Sequence, residues 1–485
     1  MAWPRCVPAL VLALSLAACK LGPDYVKPDL KLPAGYKETA ADGGVWKVAE
    51  PADHAERGQW WRIYNDPLLN ALQDVATSSN EDLKVAESQY RQARAFAQAA
   101  RGAYLPTVNA GASVTRFRES RNAHNAPADI GPATGYRLPL DVSWEIDVWG
   151  RVRRSVESAQ ASAQASAAQL AAIRLSIQTE LAIDYFLLRG LDAEKQVLER
   201  TLVAYRKAHE LTLNRREGGV ASDADVAQAE TQLRTAEAQA VNLGVQRAQL
   251  EHAIAVLLGK APVDFSIPES ALDAAPPVIP LSLPSELLER RPDIAAAERQ
   301  VASANAQIGV AKAAFYPSLS LGAGLGFESA KASNWFDWPS RFWSVGPAAA
   351  MTLFDGGRRQ ALTEQAIAAY DGTVAAYRQT VLNAFQDVED NLTELRILAE
   401  EARITDAAVK ASQRSVAQTM NRYNAGASSY LEVVVAQTFA LTNERAAADV
   451  ARRRMMASAR LVKAAGGGWT VDQLPPMAEA SGARH

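Results

Sequence analysis

Apolar residues recur at every second position in four stretches of the chain. From Thr107, the residues Val108, Ala110, Ala112 and Val114 are apolar, whereas Thr107, Asn109, Gly111, Ser113 and Thr115 are small or polar. A second stretch sets Leu138, Leu140, Val142, Trp144, Ile146 and Val148 against Asp141, Ser143, Glu145 and Asp147. The third has Leu319, Leu321, Ala323, Leu325 and Phe327 against serine and glycine, and the fourth has Trp343, Val345, Ala349, Met351 and Leu353. A period of two predicts strands. Each runs for about 10 to 13 residues, near the length a tilted strand needs to cross hydrocarbon. Carboxylates on one strand face suit either solvent or a water-filled lumen. The cluster Trp335, Phe336, Trp338, Phe342 and Trp343 beside two strand ends favours the lumen, because it reads as an interfacial aromatic girdle. Four strands leave two unpaired edges, which are costly in lipid, and closure needs roughly eight or more strands. The predicted unit is therefore an oligomer that pools strands from several chains.

The remaining pattern is helical. From Arg151 to about Arg216 there is no proline, only Gly190 interrupts, and alanine, glutamine, leucine and serine dominate. At 1.5 Å per residue such a helix extends roughly 100 Å. A second one is predicted from Arg358 to about Asn424, and return helices from about Asp223 to Leu258 and from Glu432 to Ala464. Helices of this length point to coiled-coil or barrel packing. Small residues such as Ala159, Ala161, Ala163, Ala165, Ala167 and Ala168 allow close approach of neighbours. A solid stalk fits the same pattern; a hollow cylinder is favoured because the helices follow directly from barrel strands.

The chain is written twice. Asp82, Tyr104 and Pro106 match Asp293, Phe315 and Pro317, each 211 residues on (293 − 82 = 211). Gly150-Arg151, Gly219 and Gly259 match Gly357-Arg358, Gly426 and Gly466, each 207 on (426 − 219 = 207). The landmarks are glycine, proline, arginine, aspartate and aromatic residues rather than alanine, so chance repetition does not explain them. The change of offset places about four extra residues in a loop between Pro106 and Gly150. The expected divisions are a signal segment 1–18, an N-terminal belt segment 19–65, a first repeat 66–259, a linker 260–284, a second repeat 285–466 and a tail 467–485.

The amino end adds targeting. Arg5, the apolar run from Val7 to Leu16 and the string Leu16-Ala17-Ala18-Cys19 read as a secretory signal too short to span a bilayer. The last four residues resemble the bacterial lipobox, which implies cleavage before Cys19 and a covalent lipid on it. Lys20 then permits sorting to the outer membrane. Of the two cysteines, Cys6 leaves with the signal and Cys19 is lipidated, so no thiol remains for a disulfide, a metal or nucleophilic chemistry. A net charge of −3 gives no reason to expect a nucleic-acid partner. The prolines of 20–65 and 260–284, with Trp46, Trp60 and Trp61, suggest a belt packed around the helices.

Further strings carry a family resemblance: Gly22-Pro23-Asp24-Tyr25 with Pro28, Trp60-Trp61 followed by Asp66-Pro67-Leu68, and Arg291-Pro292-Asp293. Ala314-Phe315-Tyr316-Pro317, Phe354-Asp355-Gly356-Gly357-Arg358 and Arg422-Tyr423-Asn424-Ala425-Gly426 complete the set. Together they resemble the TolC family of outer-membrane efflux proteins, in its OprM/NodT-like lipoprotein branch that serves resistance-nodulation-division (RND) pumps. The resemblance implies an α+β membrane protein, a homotrimer whose chains give four strands each to a twelve-stranded β-barrel. The barrel would continue into a twelve-helix periplasmic α-barrel with a mixed equatorial belt. It also implies two partners, a periplasmic membrane-fusion adaptor and an inner-membrane RND pump, and contact with outer-membrane lipid.

By that resemblance the breaks at Gly218-Gly219-Val220-Ala221-Ser222 and Gly426-Ala427-Ser428-Ser429 are periplasmic tips that dock the adaptor. Glycine at an ordinary helix-turn-helix connection gives the same pattern. Arg422 and Tyr423 match positions that help hold the tips closed. Val435 stands where family members often carry an aspartate, and Glu432, about one turn earlier, is the nearest acid, which argues against an acidic gate ring. Trp335, Trp338 and Trp343 are the expected membrane-interface residues.

No enzymatic chemistry is expected. Gly322-Ala323-Gly324-Leu325-Gly326 opens no helix and reads as strand glycines. Gly259-Lys260 lacks the upstream glycine of a phosphate loop, and His54, His124, His209, His252 and His485 form no metal spacing. No cofactor is expected beyond the lipid. Two rivals share parts of the pattern: a passive porin, which needs no tunnel, and a conduit for type I protein secretion, which has the same fold.

Overall fold

The computed structural model describes residues 21–30, 35–37, 59–118, 120, 131–272, 275–277, 279 and 287–475, with the side chains of 287 and 288 set aside. Cys19, Lys20 and Trp46 lie outside these residues, as do the signal segment and most of the tail. Two helices, α1 (Pro67–Ser79) and α2 (Glu81–Gly102), lead to strands β1 (Thr107–Ala110), β2 (Ser113–Phe117) and β3 (Ala133–Ile146). The long helix α3 (Arg151–Glu217) and its return α4 (Asp223–Leu257) follow. After a connection and one turn at Leu287–Arg290 come α5 (Pro292–Ala313), β4 (Ser318–Ser329), β5 (Arg341–Ala350), α6 (Arg358–Asn424) and α7 (Tyr430–Ala464).

The two halves agree in length as well as order. The helices α3 and α6 have 67 residues each, α4 and α7 have 35 each, and α2 and α5 have 22 each. Both long helices start after a glycine in the left-handed region, Gly150 at φ 79° and Gly357 at φ 89°. Among the described residues no helix is long and apolar enough to cross a membrane.

The strands form one antiparallel sheet in the order β1/β2, β3, β4, β5. The stretch expected as one strand from Thr107 is split at Gly111 and Ala112. The cause lies across the sheet: both halves keep the same register with β3, and that register sets Gly111 opposite Pro139. Proline has no N–H to give to the ladder. The Gly111 N–H still donates to the Pro139 carbonyl at 3.0 Å, but no bond returns. The second stretch also differs, because β3 ends at Ile146 and Asp147 leaves the strand. Its carboxylate accepts from the N–H groups of Val152 and Arg153 at 2.9 and 2.8 Å, satisfying the open first turn of α3. The fourth strand likewise stops at Ala350, so Met351 and Leu353 lie in the approach to α6.

Register sorts the side chains onto two faces. Leu138, Leu140, Val142, Trp144 and Ile146 lie opposite Phe327, Leu325, Ala323, Leu321 and Leu319, and Trp343, Val345 and Ala349 continue the same face. The other face carries Asp141, Ser143 and Glu145 opposite Gly324, Gly322 and Ser320. Val108, Val114, Leu325, Trp343 and Val345 are exposed on the single chain. The sheet is thus apolar on one side, small and polar on the other, and among the described residues no further strand pairs along β1/β2 or β5.

The main core sits midway along the long helices. Trp60, Trp61, Tyr64 and Leu69 pack against Leu181, Tyr185, Phe186 and Leu188 of α3, with Ile254, Val388, Leu392 and Leu461 from the other long helices. Ile267 and Ile279 of the inter-repeat connection join the same cluster. Residues 21–30 form a strap on the second repeat: Tyr25 and Leu30 pack with Ile294, Val301, Tyr377 and Val381.

Candidate functional site

The two helical turns far from the sheet have the same construction. In the first, Gly219 adopts φ 72°, and the N–H groups of Gly218 and Val220 reach back to the carbonyls of Asn214 and Arg215 at 3.1 and 2.8 Å. In the second, Gly426 adopts φ 72°, and Ala425 and Ala427 donate to Asn421 and Arg422 at 3.0 and 2.8 Å. A Cβ at either glycine would meet nothing within 4 Å, so backbone conformation rather than space demands glycine.

The starts of the return helices diverge. Ser222 and Asp225 form a capping box, Asp225 N–H donating to Ser222 Oγ at 3.2 Å and Ser222 N–H to Asp225 Oδ2 at 3.0 Å. Ser429 makes no such bond. The repeat-mate of Asp225, Glu432 (225 + 207 = 432), instead lies 3.5 Å from Arg422 Nη1 across the turn. Arg422 Nη2 also donates to the Ala427 carbonyl at 3.3 Å. On the first turn, Arg216 and Asp223 pair at 2.6 Å.

A small apolar cluster binds the two hairpins together. Tyr423 and Tyr430 meet edge to face at 5.5 Å and pack with Ala208, Ala229 and Val433, so α3, α4, α6 and α7 all contribute. Burial pushes the Tyr430 hydroxyl up to about 12, with Tyr423, Tyr205 and Asp225 adding to the shift. Arg215 covers the Tyr423 ring at 4.4 Å and donates from Nη1 to the Tyr423 carbonyl at 2.7 Å.

Of the residues singled out by sequence, Arg422, Tyr423 and Glu432 come together at the second turn. Val435 is exposed on α7 beyond them. Gly219, Val220, Ser222, Gly426 and Ala427 are exposed, whereas Ala221 and Ser428 are half-buried. Arg215 and Tyr430 were missed. The signal for Arg215 was present, because it is the repeat-mate of Arg422 (215 + 207 = 422). A groove of about 560 Å³ runs from this cluster between α4 and α7, lined by Tyr205, Gln228, Thr231, Leu431, Val434 and Thr438 among others.

The aromatic residues divide. Trp335 stacks on Phe336 at 5.0 Å and meets Tyr136 at 5.4 Å, so it closes the hairpin end. Trp338 is exposed in the β4–β5 connection beneath Arg341, and Trp343 is exposed on the apolar sheet face opposite Leu325. Among the described residues there is no group of three or more histidine, cysteine, aspartate or glutamate side chains able to hold a metal.

Residues 72–260 and 283–467 match the family profile described as outer membrane efflux protein. The chain is 32% identical over 477 residues to outer membrane protein OprJ of Pseudomonas aeruginosa, covering 96% of each chain. It is 30% identical over 472 residues to the toluene efflux pump outer membrane protein TtgF of Pseudomonas putida, covering 95% of this chain and 96% of that one. In structure it is similar to the outer-membrane channel OprN, with a TM-score of 0.84 and 32% identity over 93% of this chain and 100% of that one. The outer membrane protein VceC of Vibrio cholerae gives a TM-score of 0.80 at 28% identity, over 85% and 99% of the two chains.

Proposed function

The chain belongs to the outer membrane efflux protein family, and from that premise we propose that it forms, as a homotrimer, the outer-membrane channel of a tripartite RND efflux system. It is a conduit rather than an enzyme, and its place is the outer membrane. Small molecules delivered by an inner-membrane RND pump and a periplasmic adaptor pass through it to the outside.

One observation carries the assembly: a sheet apolar on one side, polar on the other and, among the described residues, with no further strand paired along either edge. Three such sheets joined edge to edge give a twelve-stranded barrel with lipid outside and water within, which removes the unpaired edges. The long helices then continue as a twelve-helix cylinder in the periplasm. The turns at Gly219, Val220, Ala221 and Ser222 and at Gly426, Ala427 and Ser428 are where the adaptor docks, and the cluster around Tyr423 is the closure that docking loosens. Cys19 carries the lipid anchor. A polypeptide-secretion conduit would use the same fold, but the relative TtgF is a toluene efflux pump outer membrane protein, which favours the efflux reading.

Light scattering on detergent-extracted protein, with fractionation of the two membranes, tests the assembly. A trimer in the outer membrane is expected, and a soluble monomer would refute the barrel. Cys19→Ala is expected to lose labelled palmitate yet still trimerise. Charge reversal near Gly219 or Gly426 is expected to lower efflux and leave the trimer intact; unchanged drug tolerance would count against docking there.

A further inference from the structure

We propose that an arginine-lined groove on the outward side of α2 holds the phosphate head of an anionic phospholipid from the periplasmic leaflet of the outer membrane. The inference rests on the outer-membrane reading above and adds a lipid site to it.

The strap marks which side of the helices faces outward. The Tyr25 hydroxyl donates to Glu298, Asn305 Nδ2 donates to the Pro23 carbonyl at 3.0 Å, and Gly22 lies against Gly309. Glu298, Asn305 and Gly309, with the buried Val301, form one stripe of α5 at helical spacing. The strap follows Cys19, the proposed anchor, whose lipid lies outside the channel wall, so this stripe faces away from the tunnel. Subtracting 211 gives Glu87, Tyr90, Arg94 and Gln98 (309 − 211 = 98), the outward stripe of α2 in the first repeat.

Where the second repeat seats the strap, the first has a groove of about 620 Å³ between α2 and α3, lined by Tyr90, Arg91, Arg94, Gln98, Arg101 and Gln160. Its floor is apolar, because the buried Ala97 and Ala163 pack together there. The side chains that meet the strap have changed in kind. Half-buried Tyr90 stands for buried Val301, exposed Arg94 for Asn305, and exposed Gln98 for Gly309. Glu87, the mate of Glu298, lies 3.8 Å from Arg174. Among the described residues neither Arg91 nor Arg94 meets a carboxylate: Arg91 donates to Ser88 Oγ at 3.5 Å, and Arg94 sits 5.7 Å from the centre of the Tyr90 ring. Arg101 Nε and Nη2 donate at 2.9 Å to the Gln160 side-chain oxygen, a neutral partner. The groove therefore gathers cationic donors over an alanine floor.

Its height follows from the same equivalence. Gly22 stands three residues beyond Cys19 (22 − 19 = 3), a span of at most about 10 Å, so the level of Gly309 and of its mate Gln98 lies close below the hydrocarbon. The headgroup layer is itself roughly 5–7 Å deep. Arg101 lies about one turn nearer the strands, six residues before β1 (107 − 101 = 6), and Arg94 about one turn further away. Long arginine side chains extend their charged ends into such a layer. A guanidinium grips phosphate through paired N–H groups, and a phosphate diester can rest its glycerol on the alanine floor. The position beside the leaflet selects a lipid phosphate over a soluble one.

Lipid binding to the full-length native oligomer in neutral detergent, read by native mass spectrometry, tests the site. Short-chain phosphatidylglycerol is the anionic probe, and phosphatidylethanolamine of the same chain length is the control. Phosphatidylglycerol is expected to bind about tenfold more tightly, the difference between a charge-assisted and a neutral hydrogen bond. Arg94→Gln/Arg101→Gln should remove that preference, whereas Arg94→Lys/Arg101→Lys, which keeps the charge without the paired donors, should retain part of it. Arg403→Gln, a charge lost far along α6, should retain all of it. A photoreactive phosphatidylglycerol should label α2 between Tyr90 and Arg101. No oligomer, or one absent from the outer membrane, would defeat the outer-membrane reading. An intact oligomer that binds the two lipids alike, or whose glutamine variant keeps the preference, would overturn the site alone. Glycerol phosphate competing as well as the lipid would assign the groove to a soluble anion. Binding seen only after removal of residues 476–485 would assign it to the chain's own tail.

Discussion

Arg215 of the first repeat lies with its guanidinium 4.4 Å from the centre of the Tyr423 ring in the second and donates to the Tyr423 carbonyl at 2.7 Å. A cation over an aromatic face contributes about 0.5–2 kcal/mol, and a charge-assisted hydrogen bond about 1.5–3. The contact joins α3 to α6 one turn above the tips, so its loss should free the hairpins to part. Arg215→Ala is expected to raise the single-channel conductance of the reconstituted protein several-fold with the oligomer unchanged. Arg215→Lys, which cannot spread over the ring and bond the carbonyl together, should fall between. Conductance equal to the parent in both variants would remove Arg215 from the closure.

Arg422 and Glu432 make the contrasting case. Their pair is 3.5 Å long, and the side chains are 59% and 47% exposed. Exposed pairs contribute about 0–1 kcal/mol and are screened by salt. A double-mutant cycle of Arg422→Gln and Glu432→Gln, read as channel opening, is expected to give a coupling under about 1 kcal/mol that vanishes at high salt. A large, salt-independent coupling would make this pair, and not Arg215, the main latch.

What the sequence displayed and what it hid follow from the range of each interaction. The ends of α3 and α6 were legible to within a residue, because glycine and the stop of a dense helical pattern are local signals. The start of α7 at Tyr430, two residues before the expected Glu432, was not, because Ser429 precedes the helix without a side-chain cap bond. The break at Gly111 depends on Pro139, a cross-strand neighbour, and Asp147 looked like one more alternating position although it serves the next helix. The tip cluster was half legible: Tyr423 and Arg422 lie in a recognisable string, whereas Arg215 and Tyr430 gain meaning only when four helices converge.

Asp184 supplies a pH dependence. Burial first, and the Glu180 charge second, push its carboxyl up to about 6 from an ordinary 3.8. The folded state therefore binds a proton that the unfolded state releases, so stability falls as pH rises from about 4 through 6 and the penalty is complete at pH 7. Asp184→Asn is expected to raise stability at pH 7 by up to about 2 kcal/mol and to flatten the profile between pH 4 and 7. Denaturant midpoints across that range check both; a parent that gains stability with rising pH, or a variant that keeps the slope, would refute the assignment.

Arg154 ties the strap to the helices. Its side chain is 0% exposed, and it donates to the carbonyls of Leu21, Gly22 and Pro23 at 3.0, 3.2 and 2.8 Å, with Glu157 at 3.1 Å balancing the charge. Asn305 adds a bond to the Pro23 carbonyl at 3.0 Å, and Gly22 at φ 91° lies so close to Gly309 that a Cβ on it would sit 2.6 Å from the Gly309 Cα. The strap thus crosses from α3 of one repeat to α5 of the other, directly below the sheet. Removing one partner of a buried ionic network costs about 3–5 kcal/mol, because the other groups stay buried without it. Arg154→Met is expected to release residues 21–30, seen as rapid proteolysis of the amino end while α3–α7 stay protected. Arg154→Lys keeps the charge but reaches fewer carbonyls, so it should cut more slowly than methionine and faster than the parent. Equal digestion of all three would mean that Tyr25 and Leu30 hold the strap by apolar packing alone.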